Sequence, residues 1–346
     1  MKKIVLKKVM GALVISGLIV ALMGCGSQRT VATESGNNGQ VTDNSSELHK
    51  VVIAVPGNDG TMMENALIAQ SKGYFEEELK KIGYYPEYQG FPQAGPAVNE
   101  AYAAKQIDFA VYGDFPAITA KSNGVDIKII GQANRQYNNA LLVPEESEIK
   151  KVEDLKGKKV VIPIGTVHYK WFQEQLAKAG LTVNDVETIN SVQDGPSMLQ
   201  SKDADAIISA YQACAYYEQN GIGKIVEDSK GDINAAAQYL VTGRTEFIEK
   251  NPKVAEAILK ALKDAYEFAT SNDYNTVLKQ LQTASNSEEV LKKVYEQGFS
   301  YFNPQITTED ISRLKQTVEY MKQNLLITKD VNIDDFVDTS YWENIK

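Results

Sequence analysis

The stretch "QIDFAVYGDFPAITAKSNGVDIKIIG", residues 106–131, decides how the chain is read. An apolar, strand-like run ends in Tyr112-Gly113-Asp114, turns at once through Phe115-Pro116 into a helix-like run, and leads to a second apolar run. Strand, helix and strand joined by short polar turns describe one layer of an α/β fold. Asp114 has two readings: it caps the helix, with Pro116 in the first turn, or it faces a ligand at the strand end.

The alternation extends in both directions. "VVIAV" (51–55) reads as a buried strand, and residues 61–83 show helical periodicity broken near Gly73. "PEYQGF" leads to "PQAGPAVNEAYAAKQ", and "VDIKIIGQ" to a polar loop. After "NALLVP" a second set begins, with "VEDLKGKKVVIPIGT", "VHYKWFQEQLAKAGLT", "VETINS", "GPSMLQSKD", "ADAIISAY" and "QACAYYEQNG". From "AQYLVTGRTEF" onward the chain reads as mostly helical, and Asn251-Pro252 has the residue types of a helix start. Two α/β lobes are therefore expected from 346 residues.

The N-terminus differs from this body. Lys2, Lys3, Lys7 and Lys8 precede the uncharged run Val9 to Met23, which ends at Gly24-Cys25. Residues 1–24 read as a secretory signal and Cys25 as the lipidated first residue of the mature chain, because the apolar run falls short of the ~20 residues of a spanning helix. Residues 25–48, rich in Ser, Gly, Asn and Thr, read as a flexible tether with a reach of roughly 25 Å. Cleavage would move the net charge from -9 to -13, which argues against nucleic acid. Cys214 is then the one remaining cysteine, so no intramolecular disulfide is expected.

Four segments share the form strand end, small or polar residues, helix start: Gly57-Asn58-Asp59-Gly60-Thr61, Gln93-Ala94-Gly95-Pro96, Tyr112-Gly113-Asp114-Phe115 and Gly165-Thr166-Val167-His168. Such turns favour these residue types for backbone reasons alone, yet strand ends and helix starts are also where α/β sheets hold small, often anionic ligands. His168 is either a ligand donor or a helix-face histidine. Tyr211-Gln212, after "DAIISA", either presents an aromatic face and an amide to a cleft or packs. With only His49 and His168, and no CxxC, HExxH or phosphate-loop motif, no metal, cofactor or catalytic set is expected.

"SKGYFEEEL", "GFPQAG", the opening stretch, "ALLVPEESEIKKVEDLKGKKVVIPIGT", "LAKAGLT" and "DADAIISAYQACAYYEQNG", behind a lipoprotein-like signal, resemble the solute-binding proteins of ABC importers for sulfonates, taurine, nitrate and related compounds. The resemblance spans about residues 51–270. It implies a two-lobed α/β fold of the periplasmic-binding-protein type II class, a Venus flytrap with two crossings between lobes. The crossings are expected near Val143-Pro144 and Tyr239-Leu240, giving lobe one at 49–143, lobe two at 144–239, and helices at 240–346 completing lobe one. Residue by residue, the family's strand-end G-D-x-P falls on Gly113, Asp114 and Pro116, its glycine after F-x-x on Gly95, and its G-S/T turn on Gly165 and Thr166.

The expected site is thus Asn58, Asp59, Gly95, Pro96, Tyr112, Gly113, Asp114, Phe115, Thr166, Val167, His168, Tyr211 and Gln212. Where aliphatic-sulfonate binders often carry W-D-P-Y, this chain has Ala210-Tyr211-Gln212-Ala213. The candidate loops hold no arginine, although Arg135 and Arg244 could approach. With Asp59 and Asp114 nearby, a zwitterion such as taurine, or a nitrogenous compound such as a thiamine-pathway pyrimidine, is as reasonable as a plain alkanesulfonate. The resemblance implies an extracytoplasmic, lipid-anchored monomer that captures a small solute for an ABC permease and ATPase. Two rivals stand beside it: an enzyme on the same fold, desulfinase-like through Cys214 or related to thiamine-pyrimidine synthesis, and a sensor partner.

Overall fold

A computed structural model of the chain describes residues 48–284 and 286–346. The expected signal, Cys25 and nearly all of the tether lie outside the described residues. Among the described residues ten strands occur in the order β1 (His49–Pro56), β2 (Tyr84–Phe91), β3 (Phe109–Gly113), β4 (Ile127–Tyr137), β5 (Asn139–Val143), β6 (Lys159–Val161), β7 (Glu187–Ile189), β8 (Ala206–Ala210), β9 (Lys224–Asp228) and β10 (Ala237–Arg244). The helices are α1 (Glu64–Ser71), α2 (Tyr74–Lys80), α3 (Gly95–Ala103), α4 (Asp114–Ser122), α5 (Val167–Lys178), α6 (Gly195–Ser201) and α7 (Tyr211–Gln219). They continue as α8 (Thr245–Lys250), α9 (Pro252–Ser271), α10 (Tyr274–Leu281), α11 (Glu288–Val294), α12 (Thr308–Gln323), α13 (Ile333–Phe336) and α14 (Ser340–Glu343).

The strands form two five-stranded mixed sheets, ordered β2-β1-β3-β10-β4 and β7-β6-β8-β5-β9. In the first sheet β1 runs parallel to β2 and β3, while β10 runs antiparallel to β3 and β4. The second repeats the plan, with β6 parallel to β7 and β8, and β5 antiparallel to β8 and β9. Strands such as β3 and β5 are buried along their whole length, as strands covered on both faces should be.

The crossings differ from expectation. The polar stretch after "VDIKIIGQ" is not a loop: β4 continues to Tyr137, and Asn139 already pairs with Ala210 in the second sheet. The first crossing is therefore at Asn138. Pro144, without an N–H to donate, ends β5 and does not mark the lobe boundary. The return runs from Ser229 to Ala236, before Tyr239, and β10 is a central strand of the first sheet, not the start of a helical tail.

The two crossings lie side by side. Ser229 N donates to Asn139 O at 3.0 Å, Asn139 N donates to Ser229 Oγ at 2.9 Å, and Ala237 pairs with Tyr137. Beyond them α9, α12 and their neighbours pack into the first-lobe core. In contrast, Val290 of α11 joins the core of the second lobe beneath α7, so the C-terminal segment touches both lobes. Asn251 does precede α9 with Pro252 in its first turn, but its side chain donates to Phe247 O and accepts from Tyr84 Oη instead of capping α9.

Asp310 ties this C-terminal segment to the hinge strand. Almost fully buried, it accepts from Thr307 N at 2.9 Å and from Gln132 Nε2 at 3.0 Å, and pairs with Arg135, the last two on β4. Removing one partner from a buried charge cluster strands the other. Asp310→Ala is expected to cost about 3 to 5 kcal/mol in urea unfolding; a loss under about 1 kcal/mol, as for an exposed pair, would contradict it.

Candidate functional site

Four helix starts meet between the lobes. Met63 precedes α1, Ala94 precedes α3, Gly113 precedes α4 and Thr166 precedes α5, and none of the four supplies a side-chain cap. The Thr166 hydroxyl instead donates to Pro163 O at 2.7 Å. The first-turn N–H groups of α1, α3 and α5 are therefore left without a capping side chain at the N-cap, while Phe115 N in α4 is taken by Asp114 Oδ1. Residues of all four turns line one cavity of about 170 Å³ between the lobes. That is below the roughly 300 Å³ at which drug-sized pockets begin, so it suits a small solute.

Tyr112, Tyr137 and Tyr239 form the aromatic wall from the first lobe, the last two stacked with centroids 4.8 Å apart. Thr166, Val167, His168 and Ser209 face them from the second. Among the described residues, no Lys, Arg, Asp or Glu lines this cavity. His168 Nδ1 donates to Asn139 Oδ1 at 2.7 Å, which leaves Nε2 as an acceptor. Desolvation pushes its pKa down to about 4, so the imidazole is neutral at neutral pH. Among the described residues, the features of this cavity that attract an anion are thus its helix starts.

The lobes touch around the cavity. Gln193 Nε2 donates to Asn58 Oδ1 at 2.8 Å across the cleft. A Cβ on Gly113 would stand only 2.3 Å from Val167 Cγ1, so the strand end of one lobe and the helix start of the other approach as closely as glycine allows.

Of the expected residues, Gly95, Tyr112, Gly113, Thr166, Val167 and His168 line this cavity. Asn58 and Asp59 do not: Asn58 bridges the lobes at the rim, and Asp59 accepts from Thr61 N at 3.0 Å, a bond that lowers its pKa. Pro96 and Phe115 line a neighbouring groove with Gly165. Tyr211 and Gln212 line a separate small chamber. Arg135 is committed to Asp310 and Arg244 to Asp108, so neither lines the cavity.

Asp114 is the main correction. Its side chain does not line the interlobe cavity but borders a second, polar one of about 50 Å³ with Lys170, Glu174, Gln238 and Arg313. It occupies the first position of α4 and Pro116 the third, and two positions on a helix are about 200° apart. Pro116 faces the cavity, so Asp114 faces away. Its Oδ1 accepts from Phe115 N at 2.7 Å.

The sequence reading missed Met63, Tyr137, Ser209 and Tyr239, and beside them Glu64. Glu64 is buried, has φ of 60°, and lines the small chamber that shares Tyr137 with the main cavity. Tyr295 Oη donates to Glu64 Oε2 at 2.7 Å, and desolvation pushes the carboxyl up to about 7. Cys214 lies in the second-lobe core, with Sγ 3.8 Å from Ala140 O, and burial raises its pKa, which disfavours the nucleophilic thiolate.

A family model described as "NMT1/THI5 like" matches residues 61–275. A Bacillus subtilis (strain 168) protein named as an aliphatic sulfonates-binding protein is 27% identical over 338 residues, 96% of this chain and 95% of its own. The taurine-binding periplasmic protein of Escherichia coli (strain K12) is 27% identical over 279 residues, 76% of this chain and 84% of its own. Among solved structures, the alkanesulfonate-binding protein SsuA of Xanthomonas axonopodis pv. citri, bound to MOPS, superposes with a TM-score of 0.73 at 18% identity, covering 85% of this chain and 99% of that one. The fold is therefore that of the periplasmic binding proteins.

Proposed function

The chain belongs to the NMT1/THI5-like family, and from that premise we propose that it captures a small organic anion of the sulfonate type for an ABC importer. The observation that carries the reading is the meeting of four helix starts without an N-cap side-chain bond, from both lobes, at a small cavity that has no charged lining residue among the described residues. An anionic head takes up first-turn N–H groups of α3 and α5, and the tyrosine wall receives the rest. The contacting set is Gly95, Tyr112, Gly113, Thr166, Val167 and His168 with Tyr137 and Tyr239. Because these residues come from both lobes, bound solute favours the closed arrangement, and the transporter's membrane subunits read that closure.

Outside the cell the chain is held through a lipid on Cys25, with residues 25–48 as its tether. Capture without chemistry agrees with the inert setting of Cys214. The test is a thermal-shift series on the protein with 2-aminoethanesulfonate, ethanesulfonate, nitrate and amino acids. A sulfonate at 100 times its dissociation constant is expected to stabilise the fold by about 2.7 kcal/mol. Saturable shifts with amino acids or nitrate and none with either sulfonate would overturn the assignment.

A further inference from the structure

We propose that Lys170 is a positioning residue for capture: reaching from lobe two into the polar chamber beside Asp114, it neutralises two carboxylates that closure brings together, and so sets solute affinity without touching the solute. The inference rests on the reading above and adds the residue that makes closure favourable. The chamber is built from both lobes, with Lys170 and Glu174 on α5 of lobe two, and Asp114 on α4, Gln238 on β10 and Arg313 on α12 of lobe one. Val167, Lys170 and Glu174 recur at spacings of three and four, so they share one face of α5. Val167 meets Gly113 at the contact between lobes, and Asp114 follows Gly113. The chamber therefore continues that contact one turn further along α5, away from the solute cavity, which Lys170 does not line.

The charges in the chamber need Lys170. Asp114 is 2% exposed, accepts from Phe115 N, and forms no ion pair among the described residues. Arg313 donates instead to Arg135 O at 2.7 Å and Ala236 O at 2.9 Å, backbone carbonyls on the two strands that border the hinge. Lys170, 7% exposed, pairs with Glu174 Oε1 at 3.0 Å and stands 5.9 Å from the ring centroid of Tyr320 on α12. Burial pushes the Glu174 carboxyl up and the Asp114 charge adds to it, with Lys170 and Lys178 opposing. Tyr320 is the titratable group that faces Glu174 from α12. Gln238, 1% exposed with both amide atoms unpartnered, borders the same space, whose roughly 50 Å³ has room for water to bridge these groups. Without Lys170, closing the lobes would set two desolvated carboxylates against each other, and like charges repel strongly away from water.

The experiment is calorimetric titration of the protein with ethanesulfonate and 2-aminoethanesulfonate at pH 7.5 and 5.5, alongside urea unfolding without solute. Lys170→Met is expected to weaken binding at least about 10-fold at pH 7.5 and less at pH 5.5, because the closed form then takes up a proton between the two carboxylates. Its binding heat should therefore depend on buffer ionisation enthalpy more steeply than that of the wild type. Lys170→Arg keeps the charge and should stay within about 3-fold of the wild type. Asp114→Asn, whose amide oxygen can still accept from Phe115 N, should restore most of the affinity when added to Lys170→Met. A loss in Lys170→Met that is the same at both pH values, or that Asp114→Asn does not relieve, overturns the inference, and so does an equal loss of solute-free stability. A wild type that binds neither sulfonate overturns the solute reading and this inference with it.

Discussion

Gly113→Ala is expected to weaken solute binding by about 10- to 100-fold while leaving the solute-free protein as stable as before. The added Cβ would lie 2.3 Å from Val167 Cγ1, a distance real side chains do not tolerate. Overpacking of this kind costs about 1 to 3 kcal/mol. Gly113 has φ of -69°, so alanine meets no backbone strain there. Because Gly113 ends β3 in one lobe and Val167 starts α5 in the other, the clash exists only when the lobes meet. It therefore taxes the closed state, and affinity falls by that tax. Val167→Ala removes the colliding methyl, so the double variant should recover most of the lost affinity, a coupling that calorimetry of the four proteins measures. Additive losses, or a drop in solute-free stability matching the affinity loss, would mean that the contact does not gate closure.

The second large effect is on stability. Glu64→Gln should make the solute-free protein more stable at alkaline pH, by about 3 kcal/mol above pH 8, and nearly equal to the wild type near pH 4.5. The sign follows from the direction of the shift. The folded carboxyl is raised from 4.5 to about 7, so the folded state holds a proton that the unfolded chain has already released. Its contribution is complete below the unfolded value and is lost as pH rises through 7. Gln carries no such penalty at any pH. His168, held down near 4, acts oppositely, favouring the fold above 6.5 and losing that contribution as pH falls through 4; being present in both proteins, it cancels in the difference. Urea unfolding at pH 5 and pH 8.5 gives the measurement, and a pH-independent difference would show that Glu64 does not ionise in isolation. A residue that costs this much and is still present is the kind that function retains against stability.

The alternation of strands and helices was legible because it depends on local rules: period-two and period-3.6 apolar spacing, and Gly, Pro, Asn and Asp at the joints. "VVIAV" became β1, the break at Gly73 separates α1 from α2, and Gly113 and Thr166 do stand at helix starts on the cavity. The lobe crossing was misplaced at Pro144 because a strand that leaves one sheet and a strand that enters another look alike in sequence; only pairing partners distinguish Tyr137 from Asn139. The charge reading had a similar fate. An acid beside the solute was inferred from Asp59 and Asp114, but Asp59 is spent on its own turn and Asp114 is turned away by its position on α4.

Sequence by itself determined the α/β class, the pairing of two lobes and the turns that border the cleft, since each follows from spacing and turn chemistry within a few residues. Which side chains enter the cleft was decided by tertiary structure alone. Helix phase, strand register and the approach of α11 and β10 bring Tyr137, Tyr239, Tyr295 and Glu64 together from segments up to 231 residues apart. Burial then shifts the acidity of that carboxyl, because desolvation is a property of the packed interior and not of the residue.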